Sequence, residues 1–118
     1  MLCMPFDRVR QRLYDIRDNI LHARRFVGSR TAEEFAQDLR SFYAAVRALE
    51  IISEALRHLP PELKARHPEV DWVAVRDSGN VYRHGYEVVT EERIWDTIIK
   101  RLMALETAVE AELNTLGA

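Results

Sequence analysis

Disulfide chemistry is the first thing this sequence does without: a single cysteine, Cys3, leaves nothing for it to pair with internally and suits a reducing compartment. Glycine and proline are scarce as well. Four of each is too few for the many tight turns of an all-β fold. No stretch approaches the ~20 apolar residues of a membrane span. The apolar opening, Met1 to Phe6, is too short for a signal peptide and runs straight into Asp7, Arg8 and Arg10, so the chain reads as cytoplasmic. A dominant sign of charge is missing too, since 17 Lys and Arg stand against 19 Asp and Glu. With a net charge of −2 and a pI near 6.1, any binding to nucleic acid must come from a local patch rather than from the whole-molecule field.

What remains is ordinary globular material. The 118 residues are 47% hydrophobic and 31% charged, too apolar for disorder. A chain of that length buries about two-thirds of its unfolded surface, so one domain spanning residues 1–118 is expected.

Apolar periodicity supplies the fold class. Val9, Leu13, Ile16, Ile20, Ala23 and Val27 recur at steps of four and three, which predicts a helix ended by Gly28. Thr31 and Glu34 have the spacing of a capping box at the start of a second helix. Its stripe is Phe35, Leu39, Phe42, Val46, Leu49, Ile52 and Leu56, and Pro60 and Pro61 stop it near Leu59. The segment from Pro60 to Pro68 reads as a connector with room for one turn of helix. Asp71 is a good N-cap for a shorter third helix running toward Arg83, with Gly85 as its natural end. Thr90 caps the last helix, whose stripe is Ile94 or Trp95, then Ile98, Leu102, Leu105, Val109 and Leu113. Short links between long amphipathic helices predict an all-α, up-and-down antiparallel bundle of four to five helices, crossing near +20°.

One segment stands apart from the solvated helix faces: Arg76-Asp77-Ser78-Gly79-Asn80-Val81-Tyr82-Arg83-His84-Gly85-Tyr86. At 100° per residue, Arg76, Asn80 and Arg83 fall within an arc of roughly 60°, with His84 at its edge. Trp72, Val75, Gly79 and Tyr82 form a separate strip suited to packing. Tyr86 shares a cleft with His84 only if the helix ends at Gly85. Histidine titrates near neutrality and suits proton transfer, while arginine's fork matches phosphate oxygens. Taken singly, these residues have plainer readings: Arg76 can pair with Asp77, and Glu54 can be a solvated helix glutamate. A metal is not expected, because none of His22, His58, His67 or His84 has a glutamate three residues before it and there is no cysteine cluster. No glycine-rich phosphate loop is present either, so no cofactor is implied.

Read with its preceding glycine, the run Gly-Asn-x-x-Arg-His-x-Tyr at residues 79–86 resembles the signature of the HepT-like branch of the HEPN superfamily. Ala48 to Ala55 is similar to that family's second-helix motif, His67 to Trp72 to its connector, and Ile94 to Ile98 to the start of its last helix. The ordered set covers most of the chain. The resemblance implies a metal-independent, dimeric ribonuclease acting on RNA, the toxin of a toxin–antitoxin pair. It further implies a minimal nucleotidyltransferase partner that places AMP on a tyrosine. Carried over, His84 is the catalytic histidine, Tyr86 the modified tyrosine, Asn80 the motif's polar residue and Glu54 an acidic neighbour. One position departs from the pattern. Gly79 stands where the usual motif has arginine, so the arginine role falls to Arg76 or Arg83. That departure favours the alternative of a non-catalytic binding partner of the nucleotidyltransferase.

Overall fold

The computed structural model describes the backbone of residues 5–83 and 91–117 and the side chains of 8–79 and 91–117. It contains four long helices and two single turns, with no strand among the described residues. Helix α1 (Pro5–Val27) buries Leu13, Ile16, Ile20, Ala23 and Val27 completely. Gly28 ends it at φ 63°, where its N–H reaches the Arg24 carbonyl at 2.8 Å.

The single turn α2 (Ala32–Ala36) opens on the expected box: Thr31 Oγ1 accepts from the Glu34 N–H at 3.2 Å, and the Glu34 carboxylate accepts from the Thr31 N–H at 2.9 Å. The next step departs from the periodicity. Instead of one helix from Thr31 to Leu59, the chain breaks at Gln37 and Asp38 and restarts as α3 (Leu39–Arg57). Asp38 causes the break. Its backbone is extended, and its carboxylate accepts from the Ser41 hydroxyl at 2.8 Å, the Arg30 guanidinium at 2.6 Å and the Ser41 N–H at 3.2 Å. Those bonds, Ser41's foremost, hold the carboxyl down at about 2. Leu39, on the sequence stripe, consequently lies 62% exposed.

Proline at the first position starts the single turn α4 (Pro61–Ala65). Helix α5 (Trp72–Arg83) is capped as anticipated, the Ala74 N–H reaching Asp71 Oδ1 at 3.0 Å. The last helix, α6 (residues 91–115), is continuous but not uniform: an α segment Glu91–Asp96, a π-turn Thr97–Arg101 and a second α segment Leu102–Thr115. The apolar spacing explains the π-turn. Ile94, Ile98 and Leu102 follow at four-residue steps, which in a regular α-helix drift about 80° by Leu102. A π-turn absorbs one extra residue and cuts that drift to roughly 20°. All three side chains are thereby buried.

Helices α1 and α6 run antiparallel. Arg10 Nη2 donates to the Leu116 carbonyl at 2.7 Å, Arg24 Nη1 meets Glu106 Oε1 at 2.7 Å, and Trp95 Nε1 donates to the Arg30 carbonyl at 3.0 Å. At the far end the buried Glu112 collects Arg66 Nε at 3.1 Å, Arg66 Nη2 at 2.8 Å and His67 Nε2 at 2.6 Å. Arg66, and His67 after it, outweigh burial and hold this carboxyl below its usual range. The same connector receives the Trp72 indole N–H on the Lys64 and His67 carbonyls, both at 3.1 Å, which fixes where α5 begins. Among the described residues no helix is long and apolar enough to cross a membrane.

Candidate functional site

Helix α5 lies against α3 at unusually short range. A Cβ added to Gly79 would stand 2.5 Å from Ser53 Cβ and 2.9 Å from the Leu49 carbonyl oxygen, closer than side chains tolerate. Ser53 completes the contact by donating its hydroxyl to the Arg76 carbonyl at 2.7 Å. Position 79 therefore belongs to the packing strip with Val75, and no arginine could occupy it without pushing α5 away. The glycine is a condition of the close approach, and its departure from the family's usual motif has this steric cause.

Beside the packing strip, about 40–100° around α5 from Gly79, lie the phases of Arg76, Asn80 and Arg83. Arg76 is exposed and holds Asp77 Oδ1 at 3.2 Å through both Nε and Nη2, so the ion pair that the sequence permits is formed. Asn80 and Arg83 continue the helix, with side chains outside those described. His84, Gly85, Tyr86 and Thr90 also lie outside the described residues. Glu54 follows Ser53 on α3, but its carboxylate runs along its own helix, with His58 Nε2 at 3.0 Å and Arg57 Nη1 at 3.6 Å. It lines a cleft of about 300 Å³ together with Arg12 and Asp15 of α1 and Arg47 and Glu50 of α3. The structure thus sets Arg76, Asn80 and Arg83 on one helix, and Glu54 on the outer face of the neighbouring one.

Sequence reasoning missed a second polar feature beside this strip. A groove of about 210 Å³ separates Ala74, Asp77 and Ser78 of α5 from Arg93, Asp96, Thr97 and Arg101 of α6. Its signal is the four-residue spacing of Arg93, Thr97 and Arg101, which parallels the apolar spacing that calls for the π-turn. Ser53 also had a signal: it is a small hydroxyl residue on the inward side of a stripe of large apolar ones.

An all-α bundle, strand-free among the described residues, fits a HEPN-like fold. The family described as "Ribonuclease HepT-like" matches residues 16–112, and the chain belongs to it. A "Putative RNase" of Methanocaldococcus jannaschii is 33% identical over 99 residues, covering 84% of this chain and 82% of its own length. A second protein of that description, from Caldanaerobacter subterraneus, is 37% identical over 82 residues, 70% of this chain and 73% of its own. A "Probable ribonuclease HepT" of Thermococcus cleftensis is 31% identical over 98 residues, covering 83% and 89%. No solved structure matches the chain.

Proposed function

We propose that the chain is a metal-independent ribonuclease whose working residues lie on and just beyond α5. The observation that carries this reading is the family match across residues 16–112, which includes the whole of the Gly79-to-Tyr86 run. RNA brings its own nucleophile, so the protein needs only proton transfer and a cation. The 2′-oxygen attacks phosphorus as the bond to the 5′-oxygen breaks, leaving a cyclic phosphate and a free hydroxyl. His84 takes the 2′-hydroxyl proton or supplies one to the departing 5′-oxygen. Arg76 or Arg83 stabilises the charge that builds on the phosphoryl oxygens, and Asn80 orients the group. The family resemblance adds Glu54 of α3 as an acidic neighbour, although it lines the cleft with Arg12 and Asp15 of α1.

In this reading a second copy of the chain supplies the other wall of the cleft, and a minimal nucleotidyltransferase silences the toxin by placing AMP on Tyr86. The added charge and bulk would then stand where RNA phosphates enter. His84→Ala is expected to lower RNA cleavage by about 10²–10⁴-fold, measured on purified protein with single-stranded RNA. Cleavage at the wild-type rate would remove the assignment.

The buried glycine at position 79 favours a second reading, in which the chain is a non-catalytic partner of the nucleotidyltransferase. Co-expression separates the two: RNA left intact by the free protein, with an AMP mass shift on the Tyr86 peptide, is the result expected of the partner alone.

A further inference from the structure

We propose that the groove between α5 and the π-turn of α6 is an RNA-phosphate subsite with Arg101 as its principal ligand, an inference that rests on the ribonuclease reading above. The groove holds about 210 Å³, enough for a phosphate group and part of its sugar, and is lined by Ala74, Asp77, Ser78, Arg93, Asp96, Thr97 and Arg101. Its two carboxylates are already committed. Asp77 holds Arg76 at 3.2 Å, and Asp96 holds Lys100 at 3.0 Å. Arg101 is exposed and has no hydrogen-bonding or ion-pairing partner among the described residues. Its fork is available for two oxygens of one phosphate.

The π-turn aims that guanidinium. On a regular α-helix Arg93, Thr97 and Arg101 would drift about 80° apart, carrying Arg101 out of the groove. Because Thr97–Arg101 is a π-turn, the three residues line one wall instead. Arg93 and Arg101 then stand two turns apart, roughly 11 Å along that wall.

Position ties the groove to the proposed chemistry. Asp77, on its near rim, lies about 60° around α5 from Asn80, and a helix with its side chains is only ~10–12 Å across. A single strand resting on the Arg76–Asn80–Arg83 strip therefore reaches the groove with its next nucleotides. A cationic track beside the reacting phosphate is how single strands are held without sequence preference.

The test uses RNA binding separately from cleavage. In the His84→Ala protein, fluorescence anisotropy with a labelled single-stranded RNA is followed across a salt series. Adding Arg101→Ala is expected to weaken binding about tenfold and to reduce the slope of log K against log salt by about 0.7, the loss of one phosphate contact. Arg101→Lys, which keeps the charge without the fork, is expected to fall between. Arg25→Ala, at an exposed position in the last turn of α1, is the control and is expected to change neither. Identical affinity and slope for the Arg101→Ala and Arg25→Ala proteins, or no RNA binding before either change, overturns the subsite. If His84→Ala still cleaves while Arg101→Ala weakens binding, the subsite stands and the histidine assignment fails. If His84→Ala is inert while Arg101→Ala cleaves with an unchanged KM, the subsite fails and the nuclease reading stands.

Discussion

The seam between α1 and α6 and the seam between α3 and α5 are built from opposite materials. The first is bridged by long charged side chains, Arg24 to Glu106 at 2.7 Å and Arg10 to the Leu116 carbonyl at 2.7 Å. The second includes the buried Val75, but its closest approach among the described residues is made without a long side chain, Gly79 against Ser53 and the Leu49 carbonyl. Long side chains accommodate a shift of one helix by changing rotamer. Backbones in contact do not. The helix bearing the family's motif is thus held where small displacements are resisted, while the polar bridges between α1 and α6 add to a buried apolar seam. Placing the polar strip on the stiffer seam keeps Arg76, Asn80 and Arg83 at fixed height relative to α3.

Substitutions can break this contrast. The largest effect is expected from Gly79→Val, which forces a branched Cβ into space already filled by Ser53 and should cost about 3 kcal/mol in urea unfolding. RNA cleavage should fall further than the folded fraction does, because α5 moves off α3. Full stability in this variant would show that the seam opens freely.

Glu112→Gln should cost about 2 kcal/mol at pH 7, since Arg66 and His67 lose a charged acceptor. The carboxyl's pKa is lowered in the folded chain, so its contribution is present above its ordinary value of 4.5 and is lost as the pH falls through the lower folded value. Urea midpoints at pH 7 and pH 3 check this: the gap between variant and wild type should narrow at the acid end.

Ser53→Ala sharpens the comparison by removing the hydroxyl bond to the Arg76 carbonyl while keeping the close approach; about 1 kcal/mol is expected from the same unfolding assay. Smallest of all should be Arg24→Ala. Its pair with Glu106 is about one-third exposed on each side, so the loss should stay under about 1 kcal/mol and shrink with added salt. A larger loss from Arg24→Ala than from Ser53→Ala would invert the proposed division of labour.

Much of the fold could be read from local chemistry. Gly28, the Thr31–Glu34 box and Asp71 each act within one turn, and each does in the structure what its residue type dictates. The break before α3 escaped because Phe35, Phe42 and Val46 keep helical spacing across it; the decisive contact, Arg30 to Asp38, depends on how the preceding link folds back. Helix periodicity likewise passed over the π-turn, since four-residue steps are compatible with a drifting α-helix until burial of Ile94, Ile98 and Leu102 is required together. The burial of Glu112, beside Leu113 on the apolar stripe, was not anticipated, because Arg66 and His67 that hold it come from the distant connector. For the candidate site, the polar strip of α5 follows from phase alone. The meeting of Gly79 with Ser53 does not, because it joins two small residues from different helices.

Carrying one residue more than the α-helical path requires, the turn at Thr97–Arg101 can lose a codon without changing what lies on either side. A deletion elsewhere in α6 would rotate every downstream side chain by about 100° and turn the Leu102–Leu113 face out to water. A deletion inside this turn would restore a regular helix with that face still inward. The last helix thus contains a point of length tolerance: a residue lost between Thr97 and Arg101 leaves Arg101 seven residues after Arg93 and within about 20° of it, so the core face and that wall both survive.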